Sequence, residues 1–401
     1  LPQGANTGLV GASVPPADDP GVVLSLDRLA TPPDIDPVGA TAVVAAGTRL
    51  SVLNAAAAEH GLHLPVDLAA DPSLGGMVAT NTGGSRVLRY GPMRHHVLAA
   101  ELVAADTEAT VFGHLVAVRK DSRGVDPVQL AVGSGGTLGV ITRVTVALTP
   151  LPAATDTWWL ALDRPERAIE LLRLLERRRP AAVSAFELVA RSALTHTLAA
   201  PGAPANPFGT ELPAAGVLAE WSGDPAALAG VEHDLAAAAA AGLLADARQV
   251  PPVEAWALRH RVTEALRHAG TVLGHDVSVP VGALMALRDD VAAAVAALAP
   301  HAELCGFGHA GDGGLHLNVL FPHDAAGPSP GLAADIRSAV DTAVARHGGS
   351  YSAEHGLGPV NAARWLASTA PVERALIAAL KAVLDPHRLL GHPAHPYNQL
   401  P

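Results

Sequence analysis

The stretch PQGANTGLVGAS, residues 2–13, opens the chain on a glycine-rich loop, and two more follow: SLGGMVATNTGG at 73–84 and GSGGTLGVIT at 133–142. Glycine lets backbone N–H groups gather around an anion or a ring edge with no Cβ in the way, and the interleaved Ser, Thr and Asn add further donors. Any one of these loops, taken alone, reads first as a tight turn. Three within one region point instead to a large anionic cofactor. None is followed by Gly-Lys-Ser/Thr, and none matches Gly-x-Gly-x-x-Gly between a strand and a helix, so neither a P-loop nor an ordinary dinucleotide fold is indicated.

Between the loops lie short runs rich in β-branched residues: VVLSL (22–26), TAVVAAG (41–47), LAAELVAAD (98–106) and VITRVTVAL (140–148). LSVLNAAAAEHG, 50–61, has helical composition and stops at Gly61. The Pro150-Leu151-Pro152 segment predicts a boundary. Beyond it, alanine- and leucine-rich helices are expected over 164–178, 226–244, 253–268, 281–298 and 331–347, with a last amphipathic helix over 371–384. The pattern is that of an α+β protein, with domains over 1–150 and 151–348 and a C-terminal helical segment over 349–401.

A chain of 401 residues with 49% apolar content can bury a core in each of two domains. The 27 basic and 38 acidic residues leave a net charge of -11 with no basic run, so no nucleic-acid partner is expected. The longest apolar run, 235–244, is too short for a membrane span. Cys305 is the single cysteine, which excludes an internal disulfide and fits a reducing compartment. The expected location is cytoplasmic, with peripheral attachment at a membrane left open. The sequence begins at Leu1, inside the first glycine loop.

Two further motifs carry chemistry. GHAGDGGLHLNV (308–319) reads as a turn followed by a strand that sets His316 and Asn318 on one face against Leu315, Leu317 and Val319 on the other. SAEHGLG (352–358) places Glu354 and His355 side by side. Imidazole and carboxylate ligands suit a divalent ion such as zinc with one coordination position kept for substrate, which makes His309, His316 and Glu354 candidate metal ligands. In an extended pair His355 points away from Glu354, so it becomes a candidate base rather than a ligand. Asp312 is expected to cap the glycine turn. In ALRHRVTEAL (257–266), Arg259 and Thr263 share a helical face at i and i+4, and such a pair suits either a substrate carboxylate or plain solvent.

In their order and across nearly the whole chain, PQGANTGLVG, GGMVATNTGGSRVLRYG, GSGGTLGVIT, GHAGDGGLHLN and SAEHGLG resemble the flavoproteins of the vanillyl-alcohol oxidase and p-cresol methylhydroxylase type, in their D-2-hydroxyacid dehydrogenase branch. The resemblance implies a two-subdomain FAD-binding domain, an α+β substrate (cap) domain and a C-terminal segment that completes the active site. Relatives place a strand–helix unit before the first loop, and that unit is expected to be missing here.

The same resemblance implies that Pro2, Gln3, Gly4, Ala5, Asn6, Thr7, Gly8, Gly11 and Ser13 wrap the FAD pyrophosphate. It gives the ribityl chain and isoalloxazine ring to Leu74, Gly75, Gly76, Thr80, Asn81, Gly83, Gly84, Tyr90 and Gly91, together with Gly133, Ser134, Gly136, Thr137, Gly139 and Ile141. Asn6 stands where members with covalently attached flavin have His, which implies dissociable FAD. Arg259, Thr263 and Asn318 are implied to bind substrate, His309, His316 and Glu354 the metal, and His355 to act as base.

The implied reaction oxidises a D-2-hydroxy acid such as D-lactate, glycolate or D-2-hydroxyglutarate, with hydride going to flavin N5 and electrons onward to a quinone or an electron-transfer flavoprotein. Relatives that take dicarboxylates tend to have Lys where this chain has Gly274, and Ala5, Ala12 and Gly135 also depart from the usual pattern. Two other readings use the same features: an oxygen-using oxidase, and a non-catalytic flavin-binding subunit of a glycolate-oxidising complex. A homodimer is left open.

Overall fold

The computed structural model describes residues 1–18 and 21–401, which divide into two compact units. The first contains 1–84, 90–151 and 354–401, and the second 85–89 and 152–353. Among the described residues no helix is long and apolar enough to cross a membrane.

In the first unit an antiparallel five-stranded sheet runs in the order Asp34–Asp36, Thr41–Ala45, Val140–Ala147, Val97–Val103, Val111–His114. The central strand and one of its neighbours come from the β-branched runs VITRVTVAL and TAVVAAG, whose branched side chains fit a pleated, half-buried surface. Helices Leu50–Ala58 and Leu74–Thr80 contribute to its core, where Val44, Leu53, Leu64, Met77, Met93 and Val144 are fully buried. The run VVLSL yields only a two-residue strand, Leu24–Ser25, parallel to Pro2–Gln3. The C-terminal residues return to this unit through helices Ala362–Ser368 and Pro371–Leu384.

In the second unit an antiparallel sheet of eight strands runs in the order Asp246–Gln249, Ala154–Leu162, Ala215–Gly223, Val183–Ala190, Glu303–Gly308, Gly314–Pro322, Gly270–Leu273, with Asp276–Ser278 also pairing with Gly314–Pro322. Both faces are covered. Trp158 and Leu160 join one core with residues of helices Ala168–Arg178, Val231–Ala240, Leu284–Leu298 and Pro330–Arg346. Trp159, one position along and therefore on the opposite face, joins the other core with Arg191–Ala199 and Pro252–Ala269. The 226–244 helix breaks at Gly230, which sits at φ 87° and separates Pro225–Leu228 from Val231–Ala240.

Candidate functional site

In the first unit the loop 2–13 is closed on itself. Gln3 Nε2 donates to Ser13 O at 2.6 Å and Ser13 Oγ donates to Asn6 Oδ1 at 2.8 Å. The third glycine loop is tied to the second: Gly133 N–H donates to Val78 O at 3.0 Å and Gly135 N–H to Ala79 O at 2.7 Å. Gly133, Gly135 and Gly136 lie at φ 84°, 63° and 71°, a left-handed conformation that would strain an L side chain.

These loops and residues 354–357 surround a cavity of about 410 Å³. Of the residues expected to hold FAD, Pro2, Gly4, Ala5, Asn6, Thr7, Gly8, Ser13, Gly75, Gly76, Thr80, Gly83, Gly84, Gly133, Gly136, Gly139 and Ile141 form its wall. The others are outside the wall. Leu74 is core, the Ser134 hydroxyl donates to Ala131 O at 2.8 Å, the Thr137 hydroxyl donates to Ser134 O at 2.7 Å, and Asn81 Oδ1 accepts the Arg94 N–H at 2.9 Å. Gln3 braces its own loop as above; Gly11, Tyr90 and Gly91 are likewise outside the wall. The wall also includes residues that the sequence did not point to, among them Met77, Thr82 and Gly135. Gly135 was the findable one, being a glycine inside a glycine loop.

The walls fit a flavin dinucleotide. They carry backbone amides and hydroxyls, and side chains are kept out by packing: a Cβ on Gly75 would lie 2.6 Å from Ala46 Cβ, and one on Gly4 would collide with Ser73 Oγ. Glu354 and His355 both reach this wall, from a segment of bends rather than from the extended pair expected. The Glu-His step therefore brings both residues to one cavity, because a bend does not alternate as a strand does.

In the second unit the turn 309–313 feeds the strand Gly314–Pro322, in which His316 and Asn318 alternate with buried Leu315, Leu317 and Val319. Asp312 Oδ1 accepts the Gly314 N–H at 3.0 Å and so closes the turn. His316 pairs across the strands with Phe307 and Asp276; its Nδ1 lies 3.7 Å from Asp276 Oδ1, and its ring is 5.7 Å from that of His309. Gly274 brings the backbone close to Asn318, whose Oδ1 would lie 3.2 Å from a Cβ there. His275, its neighbour, is buried with Nδ1 3.0 Å from Leu317 O.

Glu187, on the strand Val183–Ala190, has no counterpart among the expected residues. It shares a face with Ala185 and Val189, the face covered by helix Pro252–Ala269, and it is fully buried. Its Oε1 lies 2.5 Å from His309 Nδ1 and its Oε2 accepts from Arg259 Nε at 2.7 Å. Burial pushes this carboxyl up, but His309 and Arg259 outweigh it and hold the group at about 2. Arg259 is itself buried, its guanidinium 4.8 Å from the Phe307 ring, whereas Thr263, one turn on, is exposed.

Comparison with known proteins agrees with these features. Residues 151–392 match the model for the C-terminal domain of FAD linked oxidases, and residues 1–113 match an FAD binding domain. The chain is 36% identical to D-2-hydroxyglutarate dehydrogenase of Xanthomonas citri pv. viticola, over 98% of this chain and 82% of the relative. It is also 36% identical to the mitochondrial D-2-hydroxyglutarate dehydrogenase of Rattus norvegicus, over 100% of this chain and 73% of the relative. A putative mitochondrial D-lactate dehydrogenase of Schizosaccharomyces pombe is 32% identical, over 97% and 76% respectively. Among solved structures, alkyldihydroxyacetonephosphate synthase has a TM-score of 0.69 at 16% identity, covering 97% of this chain and 71% of that one. Substrate-bound p-cresol methylhydroxylase has a TM-score of 0.64 at 13% identity, covering 91% and 78%. At these identities the likeness concerns the fold, which is the vanillyl-alcohol oxidase type with α+β content.

Proposed function

Because this chain belongs to the FAD-linked oxidases, we propose that it oxidises a D-2-hydroxy acid of the D-lactate, glycolate or D-2-hydroxyglutarate type to the 2-oxo acid and passes the electrons to a quinone or an electron-transfer flavoprotein. The observation that carries this reading is the cavity walled by all three glycine loops, with Glu354 and His355 in the same wall. Bound flavin supplies the acceptor for the C2 hydride.

The three loops hold the cofactor non-covalently, since Asn6 offers no ring nitrogen for a covalent link. His355 takes the proton of the substrate hydroxyl as general base. His309, His316 and Glu354 are the residues for a divalent metal such as zinc, whose chemistry would be to lower the pKa of that hydroxyl. Arg259 turns one edge to Glu187, so its terminal amino groups are the ones for a substrate carboxylate, with Thr263 and Asn318 as further polar contacts. Residues 1–150 and the C-terminal segment serve the cofactor, and residues 151–348 the substrate. The single buried thiol suits the cytoplasm, with a quinone acceptor reached at a membrane surface.

The test is anaerobic flavin bleaching over a panel of D- and L-2-hydroxy acids. The purified protein is expected to be yellow and to bleach with one or more D-acids and with none of their L-enantiomers. Colour that survives the whole panel overturns the dehydrogenase reading in favour of a flavin-binding subunit.

A further inference from the structure

We propose that Glu187 is a positioning residue that orients two groups at once: His309 as a metal ligand and Arg259 as the anchor for the substrate acid. This rests on the reading of His309 and Arg259 given above. The carboxylate is fully buried on an interior strand, and a buried ion pair contributes little net stability compared with apolar side chains of similar volume.

The second buried carboxylate of this sheet makes the contrast. Glu220 accepts from Arg86 Nε at 2.7 Å, Ser184 Oγ at 2.7 Å and Trp256 Nε1 at 2.9 Å, none of which is a candidate site residue. Glu187 instead divides its two oxygens between two candidate site residues that are far apart in sequence.

Each half of the division has a physical consequence. A carboxylate facing His309 Nδ1 keeps the proton on that nitrogen and fixes the ring, so that a metal is met through Nε2, and such partners sharpen ligand orientation and basicity. On the other side, Nε is the inner edge of the guanidinium fork. Holding it at 2.7 Å, with the plane near the Phe307 ring, leaves the direction of the two terminal amino groups determined before any substrate arrives. A flexible arginine would have to be ordered each time an acid bound, at an entropic cost.

The experiment uses the full, FAD-loaded chain carrying Glu187→Gln. Glutamine keeps the volume, but its amide cannot accept from both partners: with the carbonyl toward His309, the NH2 group faces the Arg259 N–H. Zinc retention against graded chelator is expected to weaken by about 10–100-fold, and KM for the bleaching D-acid to rise, with FAD content unchanged. Glu187→Asp is expected to recover part of both. A folded, FAD-loaded variant with zinc retention and KM equal to the unaltered protein's overturns the proposal, as does a loss confined to FAD content. If the glutamine variant does not fold, the aspartate variant is read on the same two assays, and no change in either again overturns it. Should the unaltered protein hold no zinc and turn over without it, the metal reading of His309 fails separately. KM then decides, and an unchanged KM refutes the role of Glu187.

Discussion

Lys381, on the helix Pro371–Leu384, donates from its ammonium to the carbonyl oxygen of Thr137 at 2.8 Å, joining positions 244 apart in sequence. Thr137 belongs to the third glycine loop, so the C-terminal helix grips one wall of the cofactor cavity from behind. The ammonium also donates to Asp385 Oδ2 at 2.5 Å and to Leu390 O at 3.0 Å, which satisfies all three of its donors in a site where the residue is 3% exposed. Burial pulls its pKa down, and the Asp385 carboxylate opposes that pull.

Replacing Lys381 by Met should therefore cost about 3–5 kcal/mol, because Asp385 is left buried without its cation. Thr137 O loses its donor at the same time, and FAD retention should fall with stability. Thermal melting and flavin content after gel filtration check this. A variant that melts as the parent does and keeps its flavin would show that the grip is dispensable.

His355→Ala should keep FAD and zinc content and lose substrate-dependent bleaching by about 10²–10⁴-fold, the usual contribution of a positioned general base. Stopped-flow reduction under anaerobic conditions measures it. Bleaching at the parental rate would remove His355 from the role of base.

The legible parts of the molecule were those set by local rules. The strands Thr41–Ala45 and Val140–Ala147 of the first unit and the alternation of His316 and Asn318 with three leucine and valine side chains follow from a period of two, whereas the helix expected to run to Gly61 ends at Ala58 and Gly61 sits at φ 69° in the turn beyond it. The bend that carries Glu354 and His355 was not legible, because two adjacent residues read the same in a strand and in a loop. Glu187 sits in SAFELVA, an ordinary strand sequence, and its meaning depends on two partners brought in by sheet pairing and by a helix. Lys381 likewise reads as a solvated lysine on an amphipathic helix until the third glycine loop is found against it.

Metal removal tests the proposed division of the chemistry. Dialysis against a strong chelator should abolish turnover while leaving the flavin absorbance in the protein fraction, since the proposed function assigns the cofactor to the glycine loops and a metal to the separate set His309, His316 and Glu354. Added zinc should restore activity. Turnover at the original rate in metal-free protein would eliminate the metal from the mechanism.

His395 gives the fold a pH dependence whose direction can be worked out. The side chain is 1% exposed and packs against Tyr397, with ring centroids 4.8 Å apart, and its Nε2 would lie 3.0 Å from a Cβ on Gly135. Burial lowers its pKa from 6.5 to about 4 in the folded chain. The unfolded chain therefore takes up the proton first as pH falls, so the stability tied to neutral His395 is complete above about pH 6.5 and is lost progressively down to about pH 4. The loss is on the order of 3 kcal/mol. Because Gly135 lies in the cavity wall, acid loosening here should also release FAD. Denaturant melts of the parent and of His395→Gln at pH 7 and pH 4.5 test this: the variant should lose less stability over that interval. An equal loss in both proteins would mean that another group carries the acid sensitivity.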